Sequence, residues 1–245
     1  MSLVLTNTRF HLLETLRVPI AVLGSTFFPA ASMLFFVVPF AGDDPVGATY
    51  ATASMVTFAV MTSNLFGYGV GVASDRAEPW DPYTRTLPAG PGPRFGGRIL
   101  AGLVMTLLSL LPVVLIAVLF TEAHTTAIGL VLGVGAVFLA AVPFTLLGLA
   151  IGYALPMKAA LAVAQIIFFP LAFLGGLLSS PEQAPSFVEL VAPYLPTRGA
   201  VELMWAAVGD FPLRPLSAVM LGVWTVAAGL LAVWAYRRDE GRRFR

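Results

Sequence analysis

Six stretches of this chain carry no charged side chain and are each long enough to cross a bilayer: Val18–Gly42, Pro45–Ser74, Ile99–Thr121, Thr125–Met157, Ala159–Ser180 and Pro215–Tyr236. A spanning helix needs about 20 apolar residues. Six such runs predict an all-α integral membrane protein with six transmembrane helices. Composition agrees: only 11% of the 245 residues are charged and 58% are hydrophobic, whereas a soluble domain carries roughly 25% charge. A chain this poor in charge cannot cover itself with a water-compatible surface. No polar stretch is long enough for a second, soluble domain, so residues 1–245 are expected to form a single transmembrane domain.

The first run continues uncharged well beyond the 7–15 residues of a secretory signal core, and so is expected to stay as a span. The fourth run has 33 residues, which as one helix is roughly 50 Å long. It is expected to outreach the bilayer or to bend, and Pro143 removes a backbone donor within it. Ahead of the first span, Leu5, Leu12, Leu13 and Leu16 share one helical face, with Arg9, Glu14 and Arg17 as polar contacts. Residues 2–17 therefore suit an amphipathic helix lying in the membrane interface. Between the fifth and sixth spans, residues 181–214 hold two more helical patterns. Phe187, Leu190, Val191 and Tyr194 form one; Val201, Met204, Trp205 and Val208 form the other, after Pro196 and a candidate N-cap at Thr197. Two short amphipathic helices are expected there, dipping into the outer leaflet.

The largest break in composition in the first half of the chain is Asp75–Arg98, DRAEPWDPYTRTLPAGPGPRFGGR. It holds seven of the 27 charged residues and five prolines, Pro79, Pro82, Pro88, Pro91 and Pro93. Orientation follows from the basic flanks. With the N-terminus inside, twelve basic residues lie inside and only two, Arg198 and Arg214, lie outside. Both termini and the loop 75–98 are thereby placed in the cytoplasm. Pro79 and Pro82 leave room for only about two helical turns before Pro88.

Several chemistries are excluded. A phosphate-binding Gly-x4-Gly-Lys-Ser/Thr loop needs a lysine, and the single one, Lys158, follows Pro156-Met157. With no cysteine there is no thiolate metal site or nucleophile. His11 and His124 lie outside the spans and belong to no metal or catalytic pattern. The spans hold no mid-depth acid or base to seat a proton, which argues against a self-powered carrier. Asn64, Thr145 and Gln165 are polar at mid-span and are read first as interhelical hydrogen-bonding groups. Gly67-x-Gly69-x-Gly71, Gly129-x3-Gly133-x-Gly135 and Gly148-x3-Gly152 permit close helix packing. Phe27, Phe28, Phe35, Phe36, Phe40, Phe168, Phe169 and Phe173 are expected to face lipid or pack between helices. A net charge of +1 points to no nucleic acid partner.

Four segments together resemble one family. They are Asp75-Arg76-Ala77-Glu78 with Thr84-Arg85-Thr86-Leu87-Pro88 and Gly97-Arg98-Ile99-Leu100; Phe173-Leu174-Gly175-Gly176-Leu177 followed by Pro181 and Ala184-Pro185-Ser186-Phe187; Pro193-Tyr194-Leu195-Pro196-Thr197-Arg198-Gly199-Ala200-Val201-Glu202; and the order of interfacial helix plus six spans. In sequence and spacing these resemble the membrane subunits of ATP-binding-cassette exporters of the type-2 permease class, which includes drug-resistance and polysaccharide-export permeases. The loop departs from the family in having Arg85-Thr86-Leu87 where a Gly precedes Thr-Leu, and in its proline content.

The resemblance implies a permease subunit in a bacterial inner membrane that moves an amphipathic, drug-like or lipid-linked substrate outward. Loop 75–98 then carries a coupling helix that docks on a separate cytoplasmic ATPase. ATP and Mg belong to that partner; this chain has no cofactor and no catalytic site of its own. A second permease copy, identical or related, completes the transporter. Arg76, Glu78, Trp80, Tyr83 and Arg85 are the candidate ATPase contacts, since Trp, Tyr and Arg anchor interfaces. The same residues also satisfy the positive-inside and aromatic-belt tendencies. The alternative function is a non-transporting membrane scaffold or assembly factor of the same fold.

Overall fold

The computed structural model describes residues 2–17, 19–80, 83, 91–179, 181, 184–209 and 211–243. Among them there is no strand. The helices are α1 (Leu3–Leu16), α2 (Pro19–Ser32), a π-helical turn at Met33–Val37, α3 (Val38–Ala41), α4 (Pro45–Asp75), α5 (Pro91–Phe120), α6 (Ala127–Ala154), α7 (Met157–Leu174), α8 (Ser186–Val191), a 3-10 turn at Ala192–Tyr194, α9 (Pro196–Gly209) and α10 (Pro215–Arg243). Five of these, α4, α5, α6, α7 and α10, are long and apolar enough to cross a membrane. The first charge-free run is helical as well, and its apolar helix at Thr26–Ala41 is shorter. It passes through a π-helical turn, a feature that commonly interrupts α-helices at single turns.

Outward-facing side chains explain why this bundle belongs in lipid. Phe28, Phe35, Phe40, Val118, Leu119, Ile128, Val131, Ile166, Phe169 and Leu230 are all more than half exposed. In water so much contiguous apolar surface would drive aggregation. The expectation for the phenylalanines divides: Phe27, Phe28, Phe35, Phe36, Phe40, Phe169 and Phe173 face outward, while Phe168 is buried against Phe58 and Phe66.

α4 is the central helix. In its most apolar window 78% is buried, against 22–44% in the other four long helices. Lipid tails are as apolar as leucine, so close van der Waals fit rather than water exclusion holds such helices together. α4 and α6 achieve that fit through small residues. A Cβ on Gly148 would stand 2.8 Å from the Asn64 carbonyl oxygen, and one on Gly152 would stand 2.7 Å from Val72 Cβ. This is the close approach expected of the Gly148-x3-Gly152 pattern. At mid-span, Asn64 joins three helices: its Nδ2 donates to Thr106 Oγ1 of α5 at 3.1 Å, and its Oδ1 accepts from Thr145 Oγ1 of α6 at 2.8 Å. Gln165, expected to do the same, instead sits exposed on α7.

Helix ends follow local chemistry. Asp44 and Thr126 cap α4 and α6, accepting from Val46 N and Gly129 N at 3.1 and 3.0 Å. Pro91 opens α5, which begins eight residues before the charge-free run and takes Pro93, Arg94 and Arg98 into a helix. Proline is tolerated in a first turn, where its missing N–H has no helical acceptor. The stretch expected as a loop at 75–98 therefore gives its last eight residues to α5, while its residues 81, 82 and 84–90 lie outside those described. α6 runs unbroken through Pro143 and stops at Ala154. Gly176, at φ +76°, closes α7 in a left-handed turn, with Leu177 N donating to Ala172 O at 3.1 Å.

The segment between α7 and α10 differs most from expectation. α8 and the 3-10 turn after it keep Phe187, Leu190 and Tyr194 outward. α9 is not a surface helix: Pro196, Thr197, Arg198, Gly199, Ala200, Val201, Glu202, Met204 and Trp205 are all buried, packed among α4, α6 and α10. Thr197 is not its N-cap. The helix starts at Pro196, and the Thr197 hydroxyl donates to Leu171 O at 2.8 Å, fastening α9 to the end of α7. Trp205 is fully buried and its indole N–H is shared between Tyr50 O and Ser54 Oγ, each at 3.1 Å. Arg198, read from sequence as one of two basic residues in an outer loop, is 3% exposed and paired with Glu202 at 2.7 Å.

Candidate functional site

The site centres on the end of α4 and the turn that follows. Arg76 N donates to Val72 O at 3.0 Å, Ala77 N to Ser74 O at 2.9 Å and Glu78 N to Asp75 O at 3.2 Å. These tightening bonds finish the helix, and Pro79, which has no N–H, prevents it from continuing. Asp75 and Arg76, adjacent in sequence, reach in different directions.

Arg76 turns inward. Its Nη1 donates to Gly152 O at 2.7 Å and to Leu155 O at 3.2 Å, two carbonyls at the end of α6. Its Nε donates to Asp239 Oδ1 at 3.1 Å, and its Nη2 makes a closer contact with the same oxygen. Helix C-terminal carbonyls lack intrahelical donors and carry partial negative charge, so a guanidinium is well matched to them. One side chain thus ties the ends of α4, α6 and α10. Beside it Phe95, Tyr153 and Tyr236, one each from α5, α6 and α10, form an aromatic triangle with centroids 5.0–6.1 Å apart. Tyr236 also donates its hydroxyl to Glu240.

Asp75 pairs with Arg98 of α5. α1 lies over this pair, since a Cβ on Gly97 would meet Asn7 Cβ at 2.5 Å. Burial lowers the His11 pKa from its ordinary value; Arg98 lowers it further and Asp75 opposes. Glu14 moves up, first through desolvation and then through the Asp75 carboxylate, with Arg98 opposing and Glu78 adding a smaller upward push. The exposed apolar residues of α1, Leu3, Leu5, Phe10, Leu13 and Leu16, point away from the bundle. That arrangement fits a helix lying on the bilayer surface.

The structure separates the five candidate contacts. Arg76 is committed to internal partners. Glu78 is half-buried, and Trp80 and Tyr83 are 60% and 73% exposed. Arg85 lies outside the described residues, as do Pro82 and Pro88. Asp239, Arg98 and the aromatic triangle are parts of the site that sequence reasoning did not select. Asp239 had one faint signal, an acid set among Arg237, Arg238, Arg242 and Arg243. Among the described residues no three His, Cys, Asp or Glu side chains gather where a metal ion would bind. What the arrangement offers is mechanical: an exposed turn whose roots are wired to four helices.

Comparison with known proteins bears on the family rather than on these individual residues. The family model described as ABC-2 type transporter matches residues 2–208, from α1 through α9. YvfS of Bacillus subtilis (strain 168), a chain named as a transport permease, is 23% identical over 201 residues, covering 78% of this chain and 81% of its own length. Family members are membrane transport components that normally work with an ABC ATPase. With the family match extending over α1, the turn after α4 and the buried α9, this chain belongs to the ABC-2 type transporter family.

Proposed function

We propose that this chain is the membrane-spanning permease subunit of an ATP-binding-cassette exporter. It moves an amphipathic, drug-like or lipid-linked compound outward, using ATP and Mg bound by a separate ATPase. Two permease copies, identical or related, flank the path. The first charge-free run supplies a sixth crossing, and the Arg-rich end, with both termini, faces the cytoplasm of a bacterial cell.

The observation that carries the reading is the wiring of the turn at 76–80. A push on an exposed loop moves membrane helices only if the loop's roots are stiff. Here Arg76 fixes one root to α6 and α10, while Asp75 fixes it to α5 through Arg98. Trp80 and Tyr83 stand outside that plate with Glu78 at its edge, and Arg85 belongs to the same proposed contact set. In this assignment Arg76 transmits force and the aromatic pair makes the contact.

The test is Trp80→Ala with Tyr83→Ala in one chain, co-expressed with its cognate ATPase. Truncating an interface anchor costs about 2 kcal/mol, so the complex should weaken by more than ten-fold and substrate-stimulated ATP hydrolysis should disappear while membrane insertion stays normal. Unchanged ATPase binding would overturn the contact assignment. Intact binding of ATPase by the wild-type chain with no transport of any amphipathic compound would favour the scaffold instead.

A further inference from the structure

α10 presents a stripe to the outside of the bundle that the ion pairs and aromatic contacts described above leave untouched. Leu230, Val233, Trp234, Arg237 and Arg238 line an open groove of about 410 Å³. Their spacing, i, i+3, i+4, i+7 and i+8, is that of one helical face. Leu230, Val233 and Trp234 are 68%, 50% and 53% exposed, in the part of α10 that is apolar enough to lie in the membrane. Arg237 and Arg238 follow at its Arg-rich end and are exposed too.

Among the described residues the two arginines have no acid of their own. The next residues along are acidic but engaged elsewhere: Asp239 receives Arg76, and Glu240 receives the Tyr236 hydroxyl. Among the described residues no carboxylate lies within ion-pair distance of Arg237 or Arg238. The Arg238 guanidinium stands 5.1 Å from the centroid of the Trp234 ring. That cation–π contact holds it at the rim of the groove. Elsewhere at this end, Arg76 and Arg98 are each paired with an acid.

We propose that this stripe is a binding site for one molecule of an anionic phospholipid. Its phosphate sits on Arg237 and Arg238, and an acyl chain lies along Trp234, Val233 and Leu230. Guanidinium forks match phosphate oxygens, and basic pockets beside spans are a recurring way to hold acidic headgroups. A free phosphate would satisfy the arginines and leave the apolar stripe unused, which is why the lipid is preferred. Phospholipid binding at this stripe does not depend on which compound the protein transports.

The experiment uses the purified full chain in non-ionic detergent, titrated with phosphatidylglycerol or with phosphatidylcholine of the same acyl chains and read by native mass spectrometry. Phosphatidylglycerol should be retained about ten-fold better, because no choline cation offsets its phosphate charge or competes with the two arginines. Arg237→Gln with Arg238→Gln should abolish that preference. The charge-matched pair Arg9→Gln with Arg17→Gln, both exposed on or beside α1, should keep it. Glycerophosphoglycerol, the headgroup without chains, should not displace the lipid. A photoreactive side chain at Val233, with the arginines intact, should label phospholipid in native membranes; this arm stands if the double variant fails to fold. Equal loss in both charge variants would reduce the effect to diffuse attraction by the bilayer. Displacement by the bare headgroup would make it a free-phosphate site. Labelling of protein alone would mean that a second copy or another subunit covers the stripe. Any of these three results overturns the proposal.

Discussion

Arg198 and Arg76 each hold a carboxylate, at opposite ends of the bundle, and they do so in different ways. Arg198 pairs with Glu202 four residues away on the same helix, with side chains 3% and 0% exposed. Two further contacts come from nearby in the chain: Trp205 lies under the guanidinium at 4.9 Å, and Arg214 N donates to Glu202 Oε2 at 3.2 Å. Arg76 pairs with Asp239 across 163 residues of chain, with side chains 19% and 4% exposed. It spends its remaining donors on the carbonyls of a third helix. The first pair lets a charged helix enter an apolar interior by neutralising itself. The second pair joins elements that sequence alone leaves separate. Both are Arg–carboxylate contacts, but one is a condition of burial and the other a mechanical link.

Glu202→Ala puts the largest strain on that comparison. It leaves Arg198 buried with its partner gone, which costs about 3–5 kcal/mol. The thermal midpoint in detergent should fall sharply. Arg198→Met combined with Glu202→Leu should recover most of the loss, because an apolar pair of similar volume needs no neutralising partner. A single variant as stable as wild type would show that α9 does not need its internal pair.

Arg76→Ala comes next, at about 1–3 kcal/mol, since Gly152 O and Leu155 O lose this donor together with the contact to Asp239. Its more telling effect is on coupling: cysteines placed near residues 76 and 239 should crosslink less uniformly, and ATPase stimulation should fall more than stability does. Arg76→Lys should restore little, because a single ammonium cannot reach both the carbonyls and the carboxylate.

Asn64→Ala supplies the neutral reference between the two ends. It removes hydrogen bonds to Thr106 and from Thr145 without stranding a charge. Interhelical hydrogen bonds in membranes average about 0.6 kcal/mol, so denaturation should show a loss of about 1 kcal/mol. A loss as large as that of Glu202→Ala would mean that mid-span polarity, rather than the ion pairs, holds the bundle together.

The smallest effect is a pH dependence at the Arg-rich end. His11 has its pKa depressed below the ordinary 6.5, chiefly by burial and then by Arg98. The native state therefore binds fewer protons at this site than the unfolded chain does. The contribution of neutral His11 is present above pH 6.5 and is lost as pH falls through the lowered value. Glu14, raised from 4.5, has the opposite sign: its favourable contribution is present below pH 4.5 and fades as pH rises through the raised value. His11→Gln should remove the part of the stability loss that begins below pH 6.5, measured by denaturation at a series of pH values. The Arg198–Glu202 pair should show no such dependence on His11.

Much of the fold was legible because bilayer crossing is a property of single segments. The run Pro45–Ser74 became α4 within one residue, since Asp44 caps it and Arg76 and Pro79 end it. Gly148 and Gly152 announced a close helix contact, because only hydrogen lets two backbones approach so closely, and the structure gives α4 as the partner. The start of α5 was misread because charge, not helicity, was taken as its boundary; Pro91 sits in a first turn that proline accepts. α9 was misread too. Its periodicity, Val201, Met204 and Trp205, was correct, but one apolar face on a short helix between two spans was read as a helix dipping into the outer leaflet. Within the candidate site, Trp80, Tyr83 and Arg76 were all chosen by residue type; Trp80 and Tyr83 are exposed, whereas Arg76 is spent inside.

The amino-acid sequence by itself determined which segments are helical and apolar, where small residues permit close contact, and at which end the arginines collect. Each of these is set by neighbours a few residues apart: the 1.5 Å rise, the capping groups, the hydropathy of one run. Only the tertiary structure decided that Arg198 lies inside and that Arg76 meets Asp239 rather than an outside partner. It alone left Arg237 and Arg238 on an open face. A charged side chain's role depends on what lies opposite it. In a helical bundle that neighbour comes from another helix, so it is fixed by packing and not by the charge's own place in the chain.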